Sequence, residues 1–238
     1  LEEAIFNPSS SLDLGKIPKK LPKRFILMYS KDQLKYLEEK YKPKIVKDAS
    51  RELYQLYTCQ GIGIAKINGI GSPHAAAVLD DLIFLGGNVF INVGCAGGLS
   101  EGGVFLCKKA LRDEGTSYHY LPHKTYSYPD RTLTEFLGDS LKKQELEFKE
   151  GTNWTIDAPY RETFKEVEHY RKKGILTVDM EASALFAVAE FRKVRIAAAF
   201  VVSDILGRKR ELVKPKDYNK NLDRLTDAAI DCLESSAF

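Results

Sequence analysis

The chain has 238 residues, 44% of them hydrophobic and 29% charged, so it can bury a sizeable core and is not intrinsically disordered. Its 36 Lys and Arg against 33 Asp and Glu leave a net charge of only +3, scattered along the chain, which argues against the basic stripe of a nucleic-acid binder. Four widely spaced cysteines form no CxxC pair, so no zinc site is expected, and no apolar run is long enough for a membrane helix.

Residues 1–23, polar and rich in Pro, Ser and Lys, read as an N-terminal arm without the basic-then-apolar order of a secretory leader. A cytoplasmic protein with reduced thiols is the expectation. Arg24–Tyr29 is a buried-strand candidate, and residues 31–41 carry helical spacing with Leu34 and Leu37 on one face. Leu53–Thr58 and Ile62–Ile67 read as a strand pair, Asn68-Gly69 as a turn, and Pro73–Leu85 as a helix opened by proline. Val89–Val93 is a short strand running into Gly94-Cys95-Ala96-Gly97-Gly98, and Val104–Ala110 is another. Residues 113–130 read as loop, Leu133–Phe148 as a helix, and Arg161–Lys173 as a polar helix closed by Gly174. Ile175–Val178 is a short strand, Met180–Phe191 a helix, Ile196–Val202 a central strand apolar on both faces, and Leu222–Leu233 the last helix. Strands and helices alternate without linker or repeat, so a single α/β domain over 24–238 is expected.

Four segments could carry chemistry. Gly69–Pro73 (GIGSP) offers glycine backbone and a helix start to an anion, although on its own it reads first as a tight turn with a helix start. Asn92–Gly98 packs three glycines at a strand's carboxyl end, where ligands sit in open α/β sheets. In Val178–Ser183, Asp179 and Glu181 either complement a helix dipole or, for Glu181, accept hydrogen bonds from sugar hydroxyls. In Val201–Asp204 a buried strand ends in an acid; Ser203 and Asp204 would serve as a helix cap or as site residues, with Arg208 a partner for Asp204.

Taken in order, GIGSP, NVGCAGGL, VDMEASALF and VVSD resemble the nucleoside phosphorylase superfamily of purine nucleoside phosphorylases, uridine phosphorylases and methylthioadenosine/S-adenosylhomocysteine nucleosidases. Leu111–Ser117 and Trp154–Arg161 look like its uridine-phosphorylase-like branch, and the likeness covers roughly residues 24 to 235. It implies a central mixed sheet, partly barrel-like, flanked by helices. It also implies cleavage of an N-glycosidic bond through an oxocarbenium-like transition state, with inorganic phosphate as co-substrate and no organic cofactor or metal.

By the same resemblance, Glu181 binds ribose hydroxyls with Met180 against the sugar, and Asp204 protonates the departing base with Ser203 orienting it. Asp204 tilts the expectation towards a purine leaving group. The base site would further include Gly97, Trp154 or Tyr160 as a stacking ring, and Arg161. Arg51, Gly71 and Cys95 fall at phosphate positions, with Arg51 supplied to a neighbouring subunit, so a homo-oligomer (a dimer or a trimer of dimers) is expected. The phosphate site departs from the family pattern. Ser30-Lys31-Asp32-Gln33 stands where a Gly-Asp-Pro-x-x-Arg loop belongs, and Asn92 replaces a phosphate arginine, as it does in the hydrolytic nucleosidases. Lys31 or Arg112 would have to supply the missing donors. The expectation is therefore a nucleoside phosphorylase acting on a purine nucleoside or uridine. A nucleosidase using water and a non-catalytic nucleoside-binding homologue are the alternatives.

Overall fold

The computed structural model describes residues 5, 6, 8, 17, 18 and 20–235; most of the expected arm over 1–23 lies outside them. Eleven strands form one sheet: β1 (Arg24–Met28), β2 (Lys44–Ile45), β3 (Tyr54–Cys59), β4 (Ile62–Ile67), β5 (Val89–Gly98), β6 (Val104–Asp113), β7 (Tyr126–Ser127), β8 (Phe148–Ile156), β9 (Ile175–Asp179), β10 (Arg195–Leu206) and β11 (Arg210–Leu212). The helices are α1 (Lys31–Lys40), α2 (Ser72–Phe84), α3 (Arg131–Lys143), α4 (Phe164–Lys172), α5 (Ala182–Arg192) and α6 (Pro215–Ser235). The strand order is β11-β10-β6-β8-β9-β5-β1-β4-β3-β2, with β7 paired to β6 off this path, and a further β10–β5 pairing closes β5, β10, β6, β8 and β9 into a five-stranded barrel. The mixed, partly barrel-like α/β sheet expected from the sequence is thus the observed architecture.

β5 belongs to both parts of this sheet. Its first half pairs parallel with β1 and with β10, while Gly97 and Gly98 pair antiparallel with Thr177 and Val178 of β9. The glycines that looked like a post-strand loop are strand residues, because closing the barrel brings backbones together there. A Cβ on Gly98 would collide with the Glu101 carbonyl oxygen, and one on Gly97 would press on Val178. Helices α1, α3 and α6 bury Leu37, Leu137 and Leu225 against one face of the sheet; α2 and α5 bury Leu79 and Leu185 against the other. Helix α5 is buried on all sides from Ala182 to Ala189, which is why its sequence lacks a polar face.

Around β8, three elements differ from expectation. The helix expected over Leu133–Phe148 stops at Lys143, since Glu145 takes a left-handed φ of 50° and Phe148 opens β8. The polar centre of β8 carries no strand pattern; its nine residues are fixed by parallel pairing with β6 and β9. The helix expected from Arg161 starts at Phe164, where Thr163 and Glu166 form a reciprocal capping box, and Pro159–Arg161 is a separate 3-10 turn.

Candidate active site

A cavity of about 640 Å³ opens where the glycine half of β5, the end of β9, the end of β10 and the β8–α4 connection converge. That volume suits a small organic ligand. Its walls include Ile70, Cys95, Gly97, Tyr160, Met180, Glu181, Ser203 and Asp204, so seven residues expected at the site come together with one neighbour from the turn before α2.

Glu181 lines this cavity. It occupies the cap position of α5 but caps nothing with its side chain, having φ −135° and ψ −37°. Its Oε1 accepts from the Gly71 N–H at 2.6 Å and its Oε2 from the Met180 N–H at 3.3 Å. Capping falls to Asp179, whose Oδ2 accepts from the Ala182 N–H at 2.8 Å while Oδ1 accepts from Asn153 Nδ2 and Thr155 Oγ1. Burial pushes the Glu181 carboxyl up to about 7, and the Asp179 charge behind it adds to the rise. Burial raises Asp179 as well, against the hydrogen bonds that favour its charged form. Tyr29, pushed up first by burial and then by Glu181, stays a neutral phenol and donates to Asn92 Oδ1 at 3.0 Å.

Asp204 lines the same cavity. The register of β10 against β5 slips between Val202 and Asp204, so Ser203 is the extra residue of a bulge that re-aims the acid. Ser203 Oγ donates to Asp204 Oδ1 at 2.6 Å, and Arg210 Nε donates to Oδ2 at 2.7 Å. The partner is Arg210 and not Arg208, whose guanidinium lies over the Phe164 ring. Leu206 and Arg210 face each other across the β10–β11 hairpin, which turns Arg210 back towards Asp204.

Several expected site residues lie elsewhere. Trp154 is fully buried in a third apolar cluster, donating Nε1–H to Asp113 and tilted against Tyr170, so it cannot stack on a ligand in the cavity. Arg161 is exposed on the 3-10 turn and does not line the cavity, whereas its neighbour Glu162, half-buried, does. Tyr160 stands at the rim, fully solvent-exposed. Gly71 has φ 97°, a conformation suited to glycine, but its N–H is already committed to Glu181 and is not free for phosphate. Arg51 pairs with Asp81 at 2.7 Å beside a separate depression walled by Asp80, Tyr120 and Arg192. Arg112 is buried, donating to Ser117 Oγ and the Pro122 and Leu121 carbonyls, so it supplies no oxyanion donor. His74, near the start of α2, donates from Nε2 to the Leu53 carbonyl oxygen, a structural tie.

Residues that sequence reasoning did not single out also face the cavity: Glu162, Phe164 and Arg210. Among the described residues no group of three or more His, Cys, Asp or Glu is placed to hold a metal ion, and no helix is long and apolar enough to cross a membrane.

The fold and this paired-acid cavity define a class, and comparison with known proteins gives its family. The phosphorylase superfamily profile matches residues 34–236, and the chain belongs to that family. It is 30% identical over 149 residues to a uridine phosphorylase of Treponema pallidum, the match covering 56% of this chain and 58% of that protein. It is 31% identical over 139 residues to a guanosine phosphorylase of Halorubrum lacusprofundi, covering 56% and 57%. The chain thus spans a little over half the length of these relatives. A solved uridine phosphorylase from Vibrio fischeri shares the fold with a TM-score of 0.80 at 23% identity, over 96% of this chain and 99% of that one.

Proposed function

We propose that the chain is a nucleoside phosphorylase, a pentosyltransferase that moves the ribosyl group of a purine nucleoside or uridine from the base to inorganic phosphate. The observation that carries this reading is one cavity lined both by a buried carboxyl, Glu181, and by a hydrogen-bonded acid, Asp204. Ribose hydroxyls donate to Glu181, which holds the sugar while positive charge develops at the anomeric carbon. The C1′–N bond breaks, its electron pair goes to the base, and a proton from Asp204 or its hydrogen-bonded surroundings neutralises the leaving group. A phosphate oxygen forms the new bond to C1′. No organic cofactor enters these steps.

A second reading has water as the nucleophile. The observation that favours it is that the expected phosphate donors are engaged elsewhere: the Gly71 N–H is bonded to Glu181, Arg112 is sequestered, Asn92 is buried and bonded to Tyr29, and Arg51 lines a different depression. Under the phosphorylase reading, Arg51 acts in the site of a second copy, making a homo-oligomer the active unit. The test is to incubate the protein with inosine, guanosine, adenosine, uridine and methylthioadenosine, with and without phosphate, and follow free base. Phosphate-dependent release together with ribose 1-phosphate is expected. Equal release without phosphate would replace phosphorolysis by hydrolysis, and no release from any nucleoside would leave a binding protein.

A further inference from the structure

Lys66, in β4, is the one buried lysine among the described residues, only 8% exposed. Its ammonium donates to Asn68 Oδ1 at 3.1 Å, a neutral acceptor, and no carboxylate among the described residues pairs with it. The charge that acts on it is a second cation. Burial, and then Lys31, hold the Lys66 ammonium below its ordinary pKa. A nearly buried cation beside another cation is costly to keep unless an anion joins them. Packing alone would favour an apolar side chain here, since Ile62 and Ile64, which precede Lys66 on the same face of β4, are core residues.

The sheet connects the two lysines with the cavity. Lys66, Met28 and Val93 stand side by side in register across β4, β1 and β5, so Lys66 lies about 10 Å from Val93, two strand spacings away. Cys95 follows Val93 by two residues on the same face and lines the cavity. Tyr218 of α6 packs on this face, and its hydroxyl meets the Cys95 thiol. Lys31 opens the ten-residue helix α1 directly after β1, with Ser30 as the cap. The carboxyl edge of β4, β1 and β5 thus carries Lys66, then Lys31 with the first turn of α1, then Cys95. Asp32, the acid of that turn, acts on Tyr218 and not on Lys66.

The chemistry of the absent anion follows from the donors. Two ammonium groups and first-turn N–H groups without intrahelical acceptors suit an oxyanion that offers several acceptor oxygens. Inorganic phosphate is such an ion, and it is the co-substrate of the proposed reaction. On that reading of the cavity, we propose that Lys66, with Lys31 beside it, holds the phosphate on the Cys95 side of the cavity. The charge that Asn92 lacks is then supplied from β4 of the same chain, and an Arg51 brought by a second copy adds to it.

The test follows base release from inosine, guanosine and uridine at varied phosphate and varied nucleoside in the wild type, Lys66→Met, Lys66→Arg and Lys31→Gln. Melting curves of each protein are recorded with and without phosphate. Phosphate should raise the wild-type melting temperature. Lys66→Met should raise KM for phosphate by roughly 10- to 100-fold, leave KM for nucleoside within about 3-fold, and lose the phosphate-induced shift. Lys66→Arg should recover most of the phosphate affinity, and Lys31→Gln should show a smaller rise, since Lys31 is exposed. Without phosphate, Lys66→Met should melt no lower than the wild type, because it removes an unpaired buried charge. An unchanged KM for phosphate in Lys66→Met, an equal rise in both KM values, or a phosphate shift kept by that variant would overturn the assignment while leaving phosphorolysis intact. Wild-type base release that ignores phosphate would instead remove phosphorolysis. A phosphate shift lost in Lys66→Met would then still support the anion site, and no shift in the wild type would overturn it.

Discussion

Two carboxyls one residue apart do opposite jobs at the end of β9. Asp179 turns inward, where Asn153, Thr155 and the first turn of α5 satisfy it; Glu181 turns outward, keeping only two backbone donors and open lone pairs for a ligand. Because burial raises Glu181 to about 7 from an ordinary 4.5, the sign of its pH effects can be worked out. Between about 4.5 and 7 the unfolded chain has lost this proton while the folded chain keeps it, so stability falls as pH rises through that window and levels off above it, by about 3 kcal/mol at most. Activity runs the other way: kcat/KM for a nucleoside should climb with pH through about 7 as Glu181 ionises. Glu181→Gln should keep the fold, flatten the stability slope, and cost roughly 100-fold or more in base release. Denaturant titrations at several pH values with parallel rate measurements check both effects; a variant with unchanged rate would remove Glu181 from the sugar site. Glu181 and Asp204 were legible because each sits in a short contiguous motif. Arg210 and Glu162 were not. Arg208 stands four residues from Asp204, a spacing that pairs side chains on a helix, but the segment is a hairpin in which Arg210 folds back.

At the scale of elements, hydrophobic periodicity revealed the apolar central strands and most helices, and it failed where pairing outweighs composition. β8 contains Lys149, Glu150, Gly151, Thr152 and Asn153, a polar run that no strand propensity would favour. It is a strand because β6 and β9 hydrogen-bond to it on either side, and Gly151 leaves room for Leu176. The same contacts carry Trp154 into the interior, where an aromatic suited to a ligand site becomes a packing residue with one polar tie. Trp154→Phe should therefore lower stability by about 1–3 kcal/mol, through the lost bond to Asp113 and the volume left beside Tyr170. It should leave the ranking of nucleoside substrates unchanged. Chemical unfolding midpoints and substrate KM values separate the two effects, and an altered base preference would return Trp154 to the binding site.

For the whole molecule, the barrel strands carry the cavity with Glu181 and Asp204, and the β1–β4 extension with α2 carries Arg51 beside a separate depression. An arginine needed for phosphate would then have to reach a cavity other than its own. If so, Arg51→Ala and Glu181→Gln proteins should each be inactive alone, whereas dissociating and reassociating an equal mixture should restore about a quarter of the wild-type rate. Half the dimers would be mixed, and each would contain one site free of both substitutions. Absence of recovery, with mixed oligomers demonstrated by mass, would place the cation elsewhere.

The strand order also limits how such copies can meet. Closing five strands into a barrel leaves β2 and β11 at the ends of the sheet order. The first is two residues long and begins with Lys44; the second is three long and carries Arg210 and Glu211. Edges this short and charged offer a neighbouring chain little to hydrogen-bond to. Self-assembly is thereby steered away from a sheet continued across molecules, the route that ends in fibres, and towards helix and loop faces. On such faces one copy's side chain can enter another's cavity without either sheet being extended.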